Sequence, residues 1–214
     1  MLQNIKGGNG GLEIIIEKIA GMIFGLICHQ DSTILMSVDG RKILLCPRCM
    51  GLHLGFISSF LLLTLWTSDR TKLISKSSLF ILAIAIGSMA IDWGVGGYLG
   101  LFAPTTFSRL ATGLASGSAL SALLISYRRG MLMRFDVPGL YFNSVHIASL
   151  VCFSVFFGII TVTLSSWIVL TTILLLTVIT NITIVVHTLI MIIQLRLLQR
   201  AIIKNLPHNQ GGFR

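Results

Sequence analysis

The sequence predicts an all-α fold, a polytopic transmembrane helical bundle of about six spans, and three observations carry that expectation. Apolar residues make up 54% of the 214-residue chain, and charged residues only 11%, where a soluble domain carries about 25% charged residues. Apolar runs of about 20 residues, the length that crosses a bilayer, alternate with short polar segments. Basic residues collect in those segments, so the formal charge of +9 reads as a determinant of orientation in the membrane. Interleaving of basic and aromatic residues is absent, which points away from nucleic acid as a partner.

Residues 1–11 are rich in Gly and Asn and are expected to form a mobile N-terminal segment. The first apolar run predicts a helix from about Leu12 to Cys28. Glu13, Glu17 and Lys18 fall in its first two turns, so an interfacial position competes with a crossing. No cleavage site follows it, and residue 1 is expected to stay in the mature chain. His29–Leu45 is polar, with Asp39-Gly40 as a turn signal. A second helix is expected from near Cys49 to about Thr67, with Pro47 just ahead of it.

The third helix is predicted over about Leu79–Leu99 and the fourth over about Phe107–Ser126. Gly113 and Gly117 form a GxxxG pattern, expected to serve packing within the bundle rather than a dimer interface. The fifth helix is predicted over about Ser144–Leu164, and Ser165-Ser166 is a turn or cap. The sixth starts near Trp167 and continues to about Gln199, longer than one crossing. Residues 12–203 thus read as one transmembrane helical domain, and 204–214 as a C-terminal tail. With six spans, both termini share one side with Arg70, Lys72, Lys76, Arg128, Arg129 and Arg134. The positive-inside rule places that side in the cytoplasm of a cell membrane, and the polar segment around Cys46 outside.

Three of the four cysteines cluster in sequence, too few for a disulfide scaffold but suited to a metal or redox site. Cys46-Pro47-Arg48-Cys49 is a CxxC immediately before a helix, a knuckle that turns two sulfurs toward one ion. His53 follows Cys49 by one helical turn. Cys28-His29 ends the preceding apolar run, and antiparallel neighbours would bring it beside the CxxC. Thiolates with imidazole suit tetrahedral zinc, with iron or copper as alternatives. The expected metal ligands are Cys28, Cys46 and Cys49, with His29 or His53 as the fourth. Thiol redox is the competing chemistry, and Arg48 between the cysteines would favour thiolate. Cys152 stands alone in mid-helix and reads as core packing.

Two charges fall inside or beside the apolar region, where they are costly and therefore paired or functional. Asp92 lies toward the end of the third helix and Arg109 at the start of the fourth. The short turn between them predicts an Asp92–Arg109 pair. Alternatively, Asp92 lines a polar site beneath the cysteines and orients a ligand histidine.

Cys28-His29-Gln30, followed by Cys46-Pro47-Arg48-Cys49-Met50-Gly51-Leu52-His53-Leu54-Gly55, resembles the CHQ…CxRCxGxxxG signature of a family of small prokaryotic membrane proteins. That family is catalogued as domain of unknown function two-zero-eight-five. The resemblance extends to Ile91-Asp92-Trp93-Gly94 and to Arg109-Leu110-Ala111-Thr112-Gly113, and covers roughly residues 25–120. It implies that Cys28, His29, Gln30, Cys46, Arg48, Cys49, Gly51, Asp92 and Arg109 belong to one shared site. His53 stands where the family pattern favours an aromatic residue, which weakens its claim as a ligand.

The leading expectation is an integral membrane protein with an extracytoplasmic Cys/His metal site, structural in role or part of an accessory subunit of a membrane complex. Partner subunits or a homo-oligomer would accompany such a role. An intramembrane enzyme, either a thiol-disulfide oxidoreductase or a metal-dependent hydrolase, is the first alternative. It is disfavoured because HExxH is absent and no Ser/His/Asp set is apparent. A carrier of metal ions or small solutes is the second; Gly94, Gly96 and Gly97 are the one glycine cluster able to unwind a span, beside Asp92.

Overall fold

The computed structural model of the chain describes residues 10–66, 73–132, 141–142 and 144–205. The expected mobile segment up to Asn9, the basic residues Arg70, Lys72 and Arg134, and the tail from Leu206 lie outside the described residues. Six helices carry the fold: α1 (Gly10–Gly25), α2 (Pro47–Trp66), α3 (Lys76–Ile91), α4 (Thr106–Leu132), α5 (Ser144–Leu164) and α6 (Trp167–Asn205). Two short strand pairs complete it. β1 (Ser37–Val38) and β2 (Arg41–Lys42) form an antiparallel hairpin, and β3 (Leu73–Ile74) pairs in parallel with β4 (Tyr141–Phe142).

Among the described residues, five helical segments are long and apolar enough to cross a membrane: α2, α4, α5, α6, and α3 together with its π-helical continuation to Gly96. α1 has 16 residues, short of the ~20 that a crossing takes. α2 begins at Pro47, two residues ahead of the expected start. Proline suits this position because the first helical N–H has no partner within the helix. α3 is capped by Ser75, whose hydroxyl accepts from the Ser78 amide at 3.2 Å. Thr105 caps α4 in the same way through the Ser108 amide at 3.0 Å. α6 extends over 39 residues, longer than one bilayer crossing, as its apolar run predicts.

Glycine sets the packing of α2 on α4. A Cβ at Gly51 would run into the Leu110 carbonyl, and one at Gly55 into the Leu114 carbonyl. From the other side, a Cβ at Gly113 would strike the Arg48 carbonyl, and one at Gly117 the Leu52 carbonyl. The Gly113/Gly117 pair therefore packs within the bundle, against a matching Gly51/Gly55 pair that the sequence reading did not separate out. Small polar side chains add bonds between helices: Ser116 to the Ala85 carbonyl at 2.9 Å, and Ser59 with Ser154 at 2.7 Å. Such small-residue seams are how helices associate in lipid, where apolar surface alone gives no preference for a protein neighbour.

Cys152 is exposed on α5, contrary to its reading as core. Its neighbours Phe153, Phe156 and Phe157 are also exposed, and the face they share is apolar.

Candidate metal centre and its cleft

The Asp39-Gly40 turn is where the site's scaffold starts. Both residues have positive φ, 52° and 75°, the geometry of a two-residue hairpin turn. The hairpin is clasped to the start of α6. Asp39 Oδ2 accepts from the Trp167 amide at 2.8 Å, and the Trp167 indole donates to the Lys42 carbonyl at 3.2 Å. A carboxylate at a helix N-terminus also meets the positive end of the helix dipole. Arg41 stacks on the Trp167 ring at 4.9 Å and pairs with Glu13 of α1 at 2.6 Å. Ile43 and Leu45 follow, fully buried, and deliver Cys46 to the head of α2.

Cys46 caps α2 with sulfur in place of the usual oxygen. The Cys49 amide donates to Cys46 Sγ at 3.5 Å, and the Met50 amide donates to the Cys46 carbonyl at 2.9 Å. Cys28 comes from the turn that ends α1, where its amide donates to the Phe24 carbonyl at 2.8 Å. Gln30, at φ 53°, then bends the chain back. Its side-chain amide donates to the Gly21 carbonyl at 3.3 Å and the Leu44 carbonyl at 3.1 Å, tying α1 to the segment that leads to Cys46. The Cys46 amide donates to Cys28 Sγ at 3.4 Å.

The three sulfurs of Cys28, Cys46 and Cys49 lie within 4.8 Å of one another. Zinc–sulfur bonds of about 2.3 Å in tetrahedral geometry set sulfurs about 3.8 Å apart, so the trio fits a single soft ion. Bonds donated by the Cys46 and Cys49 thiols hold the Cys28 thiol far below the ordinary thiol range. The bond to Cys28 pushes the Cys46 thiol up, and burial adds to this. Cys28 therefore carries the thiolate character of the trio.

Neither expected histidine joins the sulfurs. His29 is exposed and lines a cleft beside them. His53 lies one turn along α2 from Cys49, where its ring meets Asn181 of α6 at 3.2 Å and its carbonyl accepts from the same amide at 3.0 Å. Asn181 was not anticipated, since only the packing of α6 on α2 brings it there.

Asp92 is buried, but its principal partner is Arg48 rather than Arg109. Arg48 donates from Nε at 3.1 Å and from Nη2 to Asp92 Oδ2, and Ser108 donates to Oδ1 at 3.1 Å. The expected Asp92–Arg109 pair is therefore replaced by an Arg48–Asp92–Ser108 lock joining α2, α3 and α4. Its cause is local. At Asp92 the third helix turns into a π-helical segment, Asp92–Tyr98, carrying the glycine cluster, with Gly96 against Phe102 and Pro104. π-Segments often mark functional sites. Arg109 is left with a buried Nε that has no hydrogen-bond partner.

The cleft has a volume of about 530 Å³. The three cysteines, His29, Gln30, Arg48 and Arg109 line it, together with Trp93 and Tyr98 of the π-segment. Asp92 sits behind Arg48, outside the lining. Sequence reasoning missed Ser108, Trp93 and Tyr98. The Thr105-to-Ser108 cap spacing was the available signal for Ser108.

Residues 28–123 match the model of a family described as Predicted membrane protein (DUF2085). The matched stretch begins at Cys28 and takes in every residue of the trio, the lock and Arg109. No curated protein and no solved structure matches the chain.

Proposed function

We propose that the stretch matching the DUF2085 family, residues 28–123, is built around a zinc site at the extracytoplasmic end of the bundle, held by Cys28, Cys46 and Cys49, whose fourth position takes a ligand from the cleft. One observation carries this reading: three sulfurs converge, no histidine among the described residues converges with them, and a cleft opens beside them. A closed Cys3His set would support a purely structural ion; an open position supports ligand binding or catalysis. The protein's own residues supply the rest. The Arg48–Asp92–Ser108 lock fixes the head of α2 against α4. Arg109, with its unpaired buried Nε, favours an anionic oxygen as the incoming group. Bound zinc would contribute a positive centre that polarises such an oxygen.

Metal analysis of purified protein tests the proposal. Near-stoichiometric zinc is expected in the wild type and in His53→Ala, and its loss in Cys46→Ser. Metal-free wild type, purified without chelator, overturns it. The mutual approach of the same three thiols supports a second reading, a dithiol–disulfide couple. Thiol trapping in native membranes separates the two, because a redox pair would be recovered partly oxidised and a zinc site fully reduced.

A further inference from the structure

We infer that α1 does not cross the membrane but lies along the bilayer surface on the thiol side, so that the chain crosses five times and its two ends face opposite sides.

Both ends of α1 are fastened to the same end of the bundle. At its start, Glu13 pairs with Arg41, which stacks on Trp167, the first residue of α6. Just past its finish, Cys28 meets the Cys46 amide at the head of α2. The heads of α2 and α6 lie at one end of the bundle, since the hairpin bonded to Trp167 leads within four residues from Lys42 to Cys46. A spanning α1 would have to carry Glu13 to the far end, away from Arg41 and Trp167. The far end is instead where β3 and β4 join the α2–α3 and α4–α5 connections.

The residues of α1 divide into three sectors at helical spacing. Ala20 and Phe24 are buried against the bundle. Leu12, Ile15, Ile19 and Met22 are exposed and recur at intervals of three and four, forming one apolar stripe about a third of a turn away, which Leu26 continues in the turn just past the helix. The remaining sector begins at Ile14, exposed near the start of the helix, and continues through Glu17, Lys18, Gly21 and Gly25, with Glu17 and Lys18 exposed at mid-helix. A spanning helix would hold those two charges at the bilayer centre, where charge is most costly. A helix in the interface gives each sector its own medium: bundle, lipid and water. The occupant of the stripe is lipid, because the long helices of the bundle, α6 against which α1 packs among them, already present exposed apolar faces to the same medium. The inference is independent of what the thiols bind. The charge bias survives it, since Lys76, Arg128 and Arg129 stay at the far end.

The test uses the full chain in sealed vesicles, with an epitope at each terminus probed before and after permeabilisation. The two epitopes are expected on opposite faces, and both on one face overturns the inference. A second measurement needs no tag: an impermeant amine reagent should label Lys18 from the same side as Lys42. Labelling of Lys18 only after permeabilisation, when Lys42 reacts before it, would equally reject it.

Discussion

Arg48 and Asp92, 44 residues apart in sequence, form a buried ion pair that joins the first turn of α2 to the point where α3 becomes π-helical. Their side chains are 13% and 5% exposed, so neither charge can turn to water if its partner is lost. Removing one member of a buried pair costs about 3–5 kcal/mol, because the other stays behind uncompensated. Arg48→Met and Asp92→Leu are each expected to lower thermal stability in detergent by that order. The double substitution should recover much of the loss. A double mutant no better than the worse single would mean that Ser108 and the cleft, rather than the pair, carry the effect.

The glycine seam makes a sharper comparison. Gly113→Ala puts a methyl group against the Arg48 carbonyl, where backbone must move, and overpacking of this kind costs about 1–3 kcal/mol. Gly87 has open space around its Cβ position, and replacing a helical glycine by alanine gains up to about 1 kcal/mol. Unfolding midpoints should therefore move in opposite directions for Gly113→Ala and Gly87→Ala. Because Gly113 touches the residue that holds Asp92, its variant should also weaken metal retention, whereas Gly87→Ala should not.

The cysteine trio predicts an unusual pH profile for alkylation of the metal-free protein. An ordinary thiol loses about a hundredfold in thiolate between pH 8.5 and 6, and its alkylation slows to match. The Cys28 thiol is depressed, so its thiolate persists as pH falls, and its labelling should drop only a few-fold over the same range. The Cys46 thiol is raised and should stay unreactive until the medium is alkaline. Peptide mapping after brief alkylation at pH 6 is expected to find Cys28 as the principal adduct. Denaturant should abolish that preference, and equal labelling of Cys28 and Cys46 in the folded chain would contradict the thiol arrangement.

Local features were legible in the sequence, and those set by helix packing were not. Asp39-Gly40 announces its turn because both residues tolerate positive φ, and Cys46-Pro47-Arg48-Cys49 announces a helix head because proline needs no donor there. The sulfur trio followed from two neighbouring segments. The partner of Asp92 did not, because it depends on how closely α2 and α4 approach through Gly51, Gly55, Gly113 and Gly117. Arg109 is nearer to Asp92 in sequence, but the π-segment and the glycine seam bring Arg48 to it instead. His53 illustrates the same limit: its spacing from Cys49 is right for a shared ligand face, yet Asn181, 128 residues away, engages its ring. The membrane class was plain from hydropathy, whereas the position of α1 needed the Glu13–Arg41–Trp167 chain of contacts.

Arg109 provides the test of what enters the cleft. Its Nε is buried without a partner, and a hydrogen bond from a charged donor to an anion contributes about 1.5–3 kcal/mol. With cobalt in place of zinc, inorganic phosphate should shift the visible spectrum of the wild type. Arg109→Gln should need a roughly ten- to hundredfold higher concentration for the same shift, with cobalt content unchanged. His29→Ala, altering an exposed wall residue outside the sulfur group, should shift that concentration far less. Equal phosphate response in wild type and Arg109→Gln would remove Arg109 from ligand binding and leave it a structural cation at the head of α4. Loss of cobalt in Arg109→Gln would instead show that the arginine supports the trio itself, through the wall it shares with Cys28 and Cys49.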